Sequence, residues 1–316
     1  MLRADRLPQA KWAPLTSNCD DVWERERHSW PNQESSRFVQ AGGLRWHVQL
    51  QGCGPVMLLI HGTGASTHSW RKVMPLLAQH YTVLAVDLPG HGFTDSASGA
   101  GMSIAGMGDG LAALLRVLEA DVRYCVGHSA GAVILCRMAL DGHITPQVLI
   151  SENGAFVPPA GAAGSMFSPI ARLMAGAPLV ARLLSWSANS PASVARMIAG
   201  TGSHLDAEGI ELYRRLVREP RHVAGALAMM ANWDLYGFEP ELPKLKTPLA
   251  LIVAENDRAV PPRQAEWVKQ RVVTAEIHRL AGLGHLAHEE DPALVAREIL
   301  AICALAGRRP DRLPCR

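Results

Sequence analysis

The residues of this chain best suited to chemistry are a serine, an aspartate and a histidine that lie far apart, each on a loop just after an apolar run. They are Ser129 in Gly127-His128-Ser129-Ala130-Gly131, Asp257 in Glu255-Asn256-Asp257, and His285 in Gly282-Leu283-Gly284-His285. A serine hydroxyl is a weak nucleophile. It needs a base within hydrogen-bond reach, and the base needs an acid that fixes its tautomer and stabilises the imidazolium. The stretch around Ser129 has the form G-x-S-x-G, in which a strand turns abruptly into a helix and the serine is held in a strained conformation. The positions two before and two after must then be nearly free of side chain, and here both are glycine. A helix over 130–140 would begin beneath the serine and aim its positive end at the hydroxyl, which favours an oxyanion there. Two glycines around a serine also occur by chance; the later aspartate and histidine raise the weight of the pattern. Glu152 is the runner-up acid. His288 competes with His285 as base, but beside Glu289 and Glu290 a structural role is expected, and for His128 a packing or hydrogen-bonding role.

An acyl-transfer site also needs donors for the oxyanion. The run 56–60 leads into His61-Gly62-Thr63-Gly64, whose glycines would let the Thr63 amide face the pocket and complete an oxyanion hole with the Ala130 amide. A dinucleotide-binding G-x-G-x-x-G is excluded, because its third glycine would fall at Thr67. Asp87 and His91, in the loop 87–93, are expected to hydrogen-bond and shape that loop rather than to react.

Stepping outward, the elements that must carry these loops form an α/β alternation. Segments 37–40 and 44–51 alternate as a hairpin would. The continuous apolar run 56–60 reads as a strand buried on both faces of a parallel sheet. Further strands are expected over 82–86, 124–126, 147–151, 249–254 and 276–280, with helices over 70–79, 103–120, 130–140, 262–271 and 292–305. Between 154 and 243 the strand rhythm stops, which predicts an inserted helical lid with starts at Ser168-Pro169, Ala177-Pro178, Ser190-Pro191 and Asp206. From Gly154 to Leu205 there is no acidic residue, while Arg172, Arg182 and Arg196 punctuate an apolar background. Met166, Trp186, Trp233 and Arg172 are therefore the candidate substrate-binding residues of a greasy pocket roof for a bulky, apolar, anionic ligand. A lid that touches a membrane surface, and arginines that merely face solvent, are the alternatives. The expected organisation is an irregular arm over 1–35, a core over 36–153 and 244–305, the lid over 154–243 and a loose tail over 306–316. Trp12, Trp23 and Trp30 offer the arm a means of docking on the core.

Composition narrows the function classes. The 316 residues are 48% hydrophobic with a formal charge of only +2, which supports a sizeable core and offers no nucleic-acid footprint. No apolar run approaches the roughly 18 to 20 residues that span a bilayer. The 6 cysteines lack CxxC spacing and the 13 histidines lack an HExxH pair, so neither a disulfide framework, a metal site nor a cofactor is expected. The N-terminal segment has no apolar core of a secretory signal, which leads to the expectation of a cytoplasmic protein.

HGTG at 61–64, DLPGHGFTD at 87–95, GHSAG at 127–131, VAENDRAVP at 253–261 and GLGHLAHEEDP at 282–292 together resemble the α/β-hydrolase superfamily over about residues 36–305. The order Ser, Asp, His is that of the superfamily. The resemblance implies an α/β-hydrolase fold with a mostly parallel sheet, an inserted lid and a serine-nucleophile activity on an ester or similar bond. Within it, SWPNQESSRFVQAGGLRWHVQ at 29–49 resembles the magnesium chelatase accessory proteins of bacteriochlorophyll synthesis. That narrower likeness implies a tetrapyrrole ligand and chelatase subunits as partners; the absence of G-x-x-x-x-G-K-[ST] rules out the chelatase's ATP-hydrolysing motor. Two other readings stay open: a non-catalytic porphyrin-binding accessory protein, and a cofactor-free C–C hydrolase or haloperoxidase-like enzyme using the same triad. An aspartate at position 129 would have pointed to dehalogenation, and serine there argues against it.

Overall fold

The alternating segment after the arm forms the antiparallel hairpin of β1 (Ser36–Ala41) and β2 (Leu44–Gln51), and the apolar runs that follow form the parallel body of the same sheet. The computed structural model describes residues 18–157, 178–187 and 190–308. Strands β3 (Val56–Ile60), β4 (Thr82–Val86), β5 (Val122–His128), β6 (Val148–Glu152), β7 (Leu249–Ala254) and β8 (Ala275–Leu280) complete it. The eight strands run in the order β1-β2-β4-β3-β5-β6-β7-β8, with β2 antiparallel to β4 and every later pairing parallel. Strands β3, β4, β6 and β7 are buried at every position, as unbroken apolar runs require when helices cover both faces.

Ahead of the sheet, α1 spans Asn18–Glu26. This corrects the expectation of an irregular arm. The segment carries mostly charged residues and only Val22 and Trp23 as apolar anchors, too few for a visible period. It is held down by Trp23, which packs edge-on against Phe38 and Phe93, while Trp30 also packs edge-on against Phe93. Trp12 lies outside the described residues. The helix expected over 70–79 is instead a 3₁₀ turn, Thr67–Trp70, followed by the short α2 (Met74–Leu77), because Pro75 can only sit in a first turn and so forces a fresh start.

One face of the sheet is covered by α3 (Ile104–Val117), whose N-cap Ser103 accepts from the Gly106 amide, and by α4 (Ala130–Leu140). Between β6 and β7 come α5 (Pro178–Ser187), α6 (Pro191–Gly200), α7 (Ala207–Arg218), α8 (Pro220–Ala231) and the short α9 (Leu235–Phe238). Ser190 and Asp206 cap α6 and α7 by accepting from the amides three residues on, and prolines stand at the first turns of α6 and α8. The expected start at Ser168-Pro169 lies outside the described residues. The chain closes with α10 (Arg263–Lys269), α11 (Ala287–Glu290) and α12 (Pro292–Gly307), the last packing with α2 on the other face of the sheet. Among the described residues no helix is long and apolar enough to cross a membrane.

Candidate active site

The parallel strands deliver their loops to one edge of the sheet, and the sharpest of those loops is the junction of β5 and α4. Ser129 stands there with φ 53° and ψ −117°, a conformation costly to a residue with a side chain. The packing that enforces it is main chain against main chain. A Cβ on Gly127 would come within 2.4 Å of the Ala132 nitrogen, and one on Gly131 within 2.4 Å of the Ile60 carbonyl oxygen. The Ser129 amide donates to the Glu152 carbonyl at 2.9 Å, which pins the turn to the next strand. Ser103 and Ser190 spend their oxygens as helix caps, but the Ser129 side chain makes no cap bond, so its hydroxyl is left for the cavity it lines.

That cavity has a volume of about 270 Å³ and is shared by Ser129, His285, the loop 62–65 and residues of α6, α7 and α8. His285, 9% exposed, sits on the loop after β8. Its Nδ1–H donates to Asp257 Oδ2 at 2.7 Å. Asp257, on the loop after β7, accepts at Oδ1 from the amides of Ala259 and Val260, both at 2.8 Å, so the carboxylate is fully engaged and its rotamer fixed. With Nδ1–H given to Asp257, Nε2 is the ring nitrogen left to take up a proton.

Two side chains hold the backbone of the His285 loop. Its carbonyl oxygen accepts from His128 Nε2–H at 2.9 Å and from Asn153 Nδ2–H at 3.0 Å, while Asn153 Oδ1 accepts from the Ala254 amide at 2.8 Å. His128 is buried, and burial, with His285 and His288 close by, holds its pKa well below that of a free histidine. Asn153, with φ 47°, thus ties the ends of β6 and β7 to the histidine loop. Its role was not legible in the sequence; an asparagine directly after a buried strand is a favoured left-handed position and is the signal that could have found it.

The amides of Thr63 and Ala130 have no acceptor among the described residues. Ala130 opens α4, where a first-turn N–H has no intrahelical partner. Thr63 lies on the loop after β3, and its Oγ1–H donates to Met229 Sδ at 3.4 Å. The cavity therefore gathers a hydroxyl, an imidazole backed by a carboxylate and the Thr63 amide, with the Ala130 amide adjoining Ser129 in the chain; these are the parts that attack on an acyl carbon requires. No charged side chain is among its lining residues; Met197, Ile198, Val217, Val223 and Leu227 give it an apolar wall, with Tyr213 and His222 as polar points.

The runner-up residues form a second arrangement. Glu152 Oε1 accepts from both the His288 amide and His288 Nδ1 at 2.9 Å, and His288 Nε2 bonds Ser69 Oγ. All three are buried. Burial works against the charged ring, but the Glu152 carboxylate outweighs it and raises the His288 pKa. Glu289, next in sequence, pairs with Arg71 and accepts from Tyr213 Oη at 2.8 Å, a buried link between core and inserted helices. Asp87 and His91 are likewise internal. Asp87 bonds His47 Nδ1 at 2.8 Å and the amides of Thr67 and Phe93; burial alone would raise its pKa, but His47 and these donors hold it below the usual carboxylate range.

The substrate-binding candidates fare differently. Trp233 is 8% exposed and packs in the core with Met229, Leu235 and Phe238 rather than lining the cavity. Trp186 is 79% exposed on α5, and it too is not part of the cavity wall. Arg182 and Arg196 face solvent. Met166 and Arg172 lie outside the described residues. The polar residues that do line the cavity from the inserted helices, Tyr213 and His222, were missed because nothing in their local spacing marks them.

The profile of the alpha/beta hydrolase family matches residues 57–298. The "Magnesium-chelatase 30 kDa subunit" of Rhodobacter capsulatus is 36% identical over 83% of this chain and 92% of its own length. Among solved structures, an alpha/beta hydrolase fold protein from Burkholderia ambifaria superposes with a TM-score of 0.70 at 23% identity, covering 84% of this chain and 96% of that one. The epoxide hydrolase CorEH superposes with a TM-score of 0.71 at 21% identity, over 85% of this chain and 98% of its own.

Proposed function

This chain belongs to the alpha/beta hydrolase family, and from that premise we propose that it is a serine hydrolase acting on an ester or similar acyl bond of an apolar substrate in magnesium-tetrapyrrole metabolism. The observation that carries the reading is the uncapped Ser129 side chain, lining the same cavity as His285 and Thr63, with the Ala130 amide next to it in the chain. Ser129 Oγ attacks the acyl carbon as His285 Nε2 takes its proton. The Thr63 and Ala130 amides hold the oxyanion, and Asp257 keeps the ring in the tautomer that accepts and steadies the imidazolium. On collapse, the alcohol leaves with the proton from His285; water, activated by the same nitrogen, then attacks the acyl-serine and restores the hydroxyl.

The tetrapyrrole setting rests on the likeness to the Rhodobacter capsulatus protein, and so do magnesium chelatase subunits as candidate partners. At about 270 Å³ the cavity falls just below the span of about 300 to 1,000 Å³ typical of pockets that enclose drug-sized ligands. It fits an acyl arm or an ester of a macrocycle better than the macrocycle itself. The test is labelling with a fluorophosphonate, followed by location of the adduct. Attachment at Ser129, abolished in Ser129→Ala, supports the reading; a folded protein that stays unlabelled and inert towards short acyl esters removes it.

The same relative's name favours a second reading, a non-catalytic accessory protein that binds porphyrin for the chelatase. Titration with protoporphyrin IX, its magnesium complex and its methyl ester separates the two. Tight binding without turnover, unaffected by Ser129→Ala, selects the second; ester cleavage selects the first.

A further inference from the structure

Helix α8 places Met229 in the core and also rests on main-chain groups of two loops, the one after β3 that lines the cavity and the one after β4. A Cβ on Gly225 would lie 2.1 Å from the Gly90 carbonyl oxygen, so helix backbone rests directly on loop backbone. One turn earlier, Arg221 donates from Nη1 to the Thr94 carbonyl and from Nη2 to the Gly92 carbonyl, both at 2.7 Å. Between these anchors stands His222. Its Nδ1 accepts from the Gly92 amide at 3.0 Å, and its Nε2–H donates to the Gly64 carbonyl at 3.1 Å.

The tautomer follows from the partners. A backbone N–H at Nδ1 requires a lone pair there, so the single ring proton is on Nε2 and is directed at Gly64. Burial lowers the His222 pKa to about 4, with the Gly64 carbonyl opposing that shift and His61, Arg221 and Asp87 adding smaller effects of both signs. The His91 ring also packs edge-on against it, with centroids 5.3 Å apart. The ring is thus neutral near pH 7.

Within the loop 62–65 the main-chain bond is the turn from the Ala65 amide to the Gly62 carbonyl. From the core, the His61 ring also donates from Nδ1 to the Gly62 carbonyl at 2.7 Å; the tethers on Thr63 and Gly64 come from α8, where His222 holds the Gly64 carbonyl and Met229 receives the Thr63 hydroxyl. We propose that His222 is a positioning residue for the oxyanion loop, so that the inserted helices, and not the core alone, fix the direction of the Thr63 amide. The proposal rests on the serine-hydrolase reading. It makes the seating of α8 a condition for full oxyanion stabilisation: a substrate that keeps α8 from seating would be bound yet turned over slowly.

The experiment compares His222→Asn with His222→Gln. Asparagine keeps a polar atom at the Nδ1 position but cannot reach Gly64. Glutamine keeps a donor at the Nε2 position and gives up the bond from Gly92. For each variant kcat and KM on p-nitrophenyl butyrate, inhibition by a trifluoromethyl ketone that forms a tetrahedral oxyanion adduct, and the thermal midpoint are measured. Removing one oxyanion donor outright costs about 10²- to 10³-fold, and a displaced donor costs less. H222N is expected to lose about 10- to 100-fold in kcat and in ketone affinity, with KM moved less than about threefold, and H222Q is expected to recover most of that loss. Equal losses in both variants, or a loss in H222N confined to KM, overturn the proposal while leaving the hydrolase reading intact. If H222N does not fold, H222Q decides alone: kcat within about threefold of the unmodified chain supports the proposal, and a tenfold or greater loss at an unchanged midpoint overturns it. An unmodified chain that neither turns over ester nor reacts with a fluorophosphonate removes both readings together.

Discussion

Two serine–histidine–carboxylate arrangements lie within one molecule, Ser129/His285/Asp257 at the cavity and Ser69/His288/Glu152 beneath it, and their rings are bridged by His128, whose ring centroid is 4.6 Å from that of His285 and 4.7 Å from that of His288. The histidine–carboxylate distances hardly differ, at 2.7 and 2.9 Å. What differs is everything around them. Ser129 is forced into a left-handed turn with its oxygen unspent, whereas Ser69 sits in a 3₁₀ turn and bonds His288. His285 lines the cavity, whereas the His288 side chain is wholly buried. Asp257 has amide donors on the oxygen that does not hold the ring; Glu152 Oε2 has no partner among the described residues. Residue types in line are therefore not a site. Strain at the serine, access and a fully engaged acid distinguish the upper trio from the lower, which reads as a buried hydrogen-bonded cluster holding the ends of β6 and α11 together.

The sharpest way to break this comparison is to remove one hydroxyl from each trio. Ser129→Ala should lower kcat on an activated ester by about 10⁵- to 10⁶-fold at an almost unchanged thermal midpoint, whereas Ser69→Ala should keep kcat within about threefold and cost about 1 kcal/mol in stability. Comparable losses of activity in both would erase the distinction. The acids come next. Asp257→Asn should lower kcat about 10⁴-fold by imposing the wrong tautomer on His285. Glu152→Gln should leave catalysis far less affected but destabilise the fold by about 1 to 3 kcal/mol, because the buried His288 amide and ring would lose the carboxylate oxygen that accepts from both. Urea unfolding beside steady-state kinetics on the same samples checks both.

A smaller effect appears on acidification. His61, His68, His91, His128 and His222 are buried with folded pKa values below 6.5, so below that pH the unfolded chain binds more protons than the folded one. Stability is then full above pH 6.5 and lost as pH falls, by up to about 1.4 kcal/mol per pH unit for each histidine. His288, with its pKa raised, has the opposite sign: its contribution is present below pH 6.5 and fades as pH rises through its folded value. Thermal midpoints should therefore drop steeply between pH 6.5 and 4 and only gently on the alkaline side. A flat acid limb would contradict the neutral state assigned to these rings.

The contrast between the trios also marks where the sequence is informative. Strands Val56–Ile60, Thr82–Val86 and Leu249–Ala254 and helix Ala130–Leu140 lie where their apolar runs and flanking loops put them, since a doubly covered parallel strand leaves little freedom in its composition. Helix Asn18–Glu26 escaped because its order comes from Trp23 docking on Phe38 and Phe93, a tertiary contact with no local period. The loops bearing Ser129, Asp257 and His285 could be located because each follows a strand in the same sheet. Asn153, Tyr213 and His222 could not, since Asn153 and His222 act chiefly on backbone groups and Tyr213 on the distant Glu289, and such contacts leave no spacing to read. Trp233 drew attention by its size, yet a large ring near a lid fills core as readily as it lines a pocket.

Where α8 crosses the loop after β4, two glycines touch and nothing lies between the two chains that could yield. A joint of that kind cannot slide; it is either shut or apart. One added methyl group, as in Gly225→Ala, would act as a wedge between helix and loop. How closely the inserted helices sit on the core at this point is in that sense set by a single missing carbon atom.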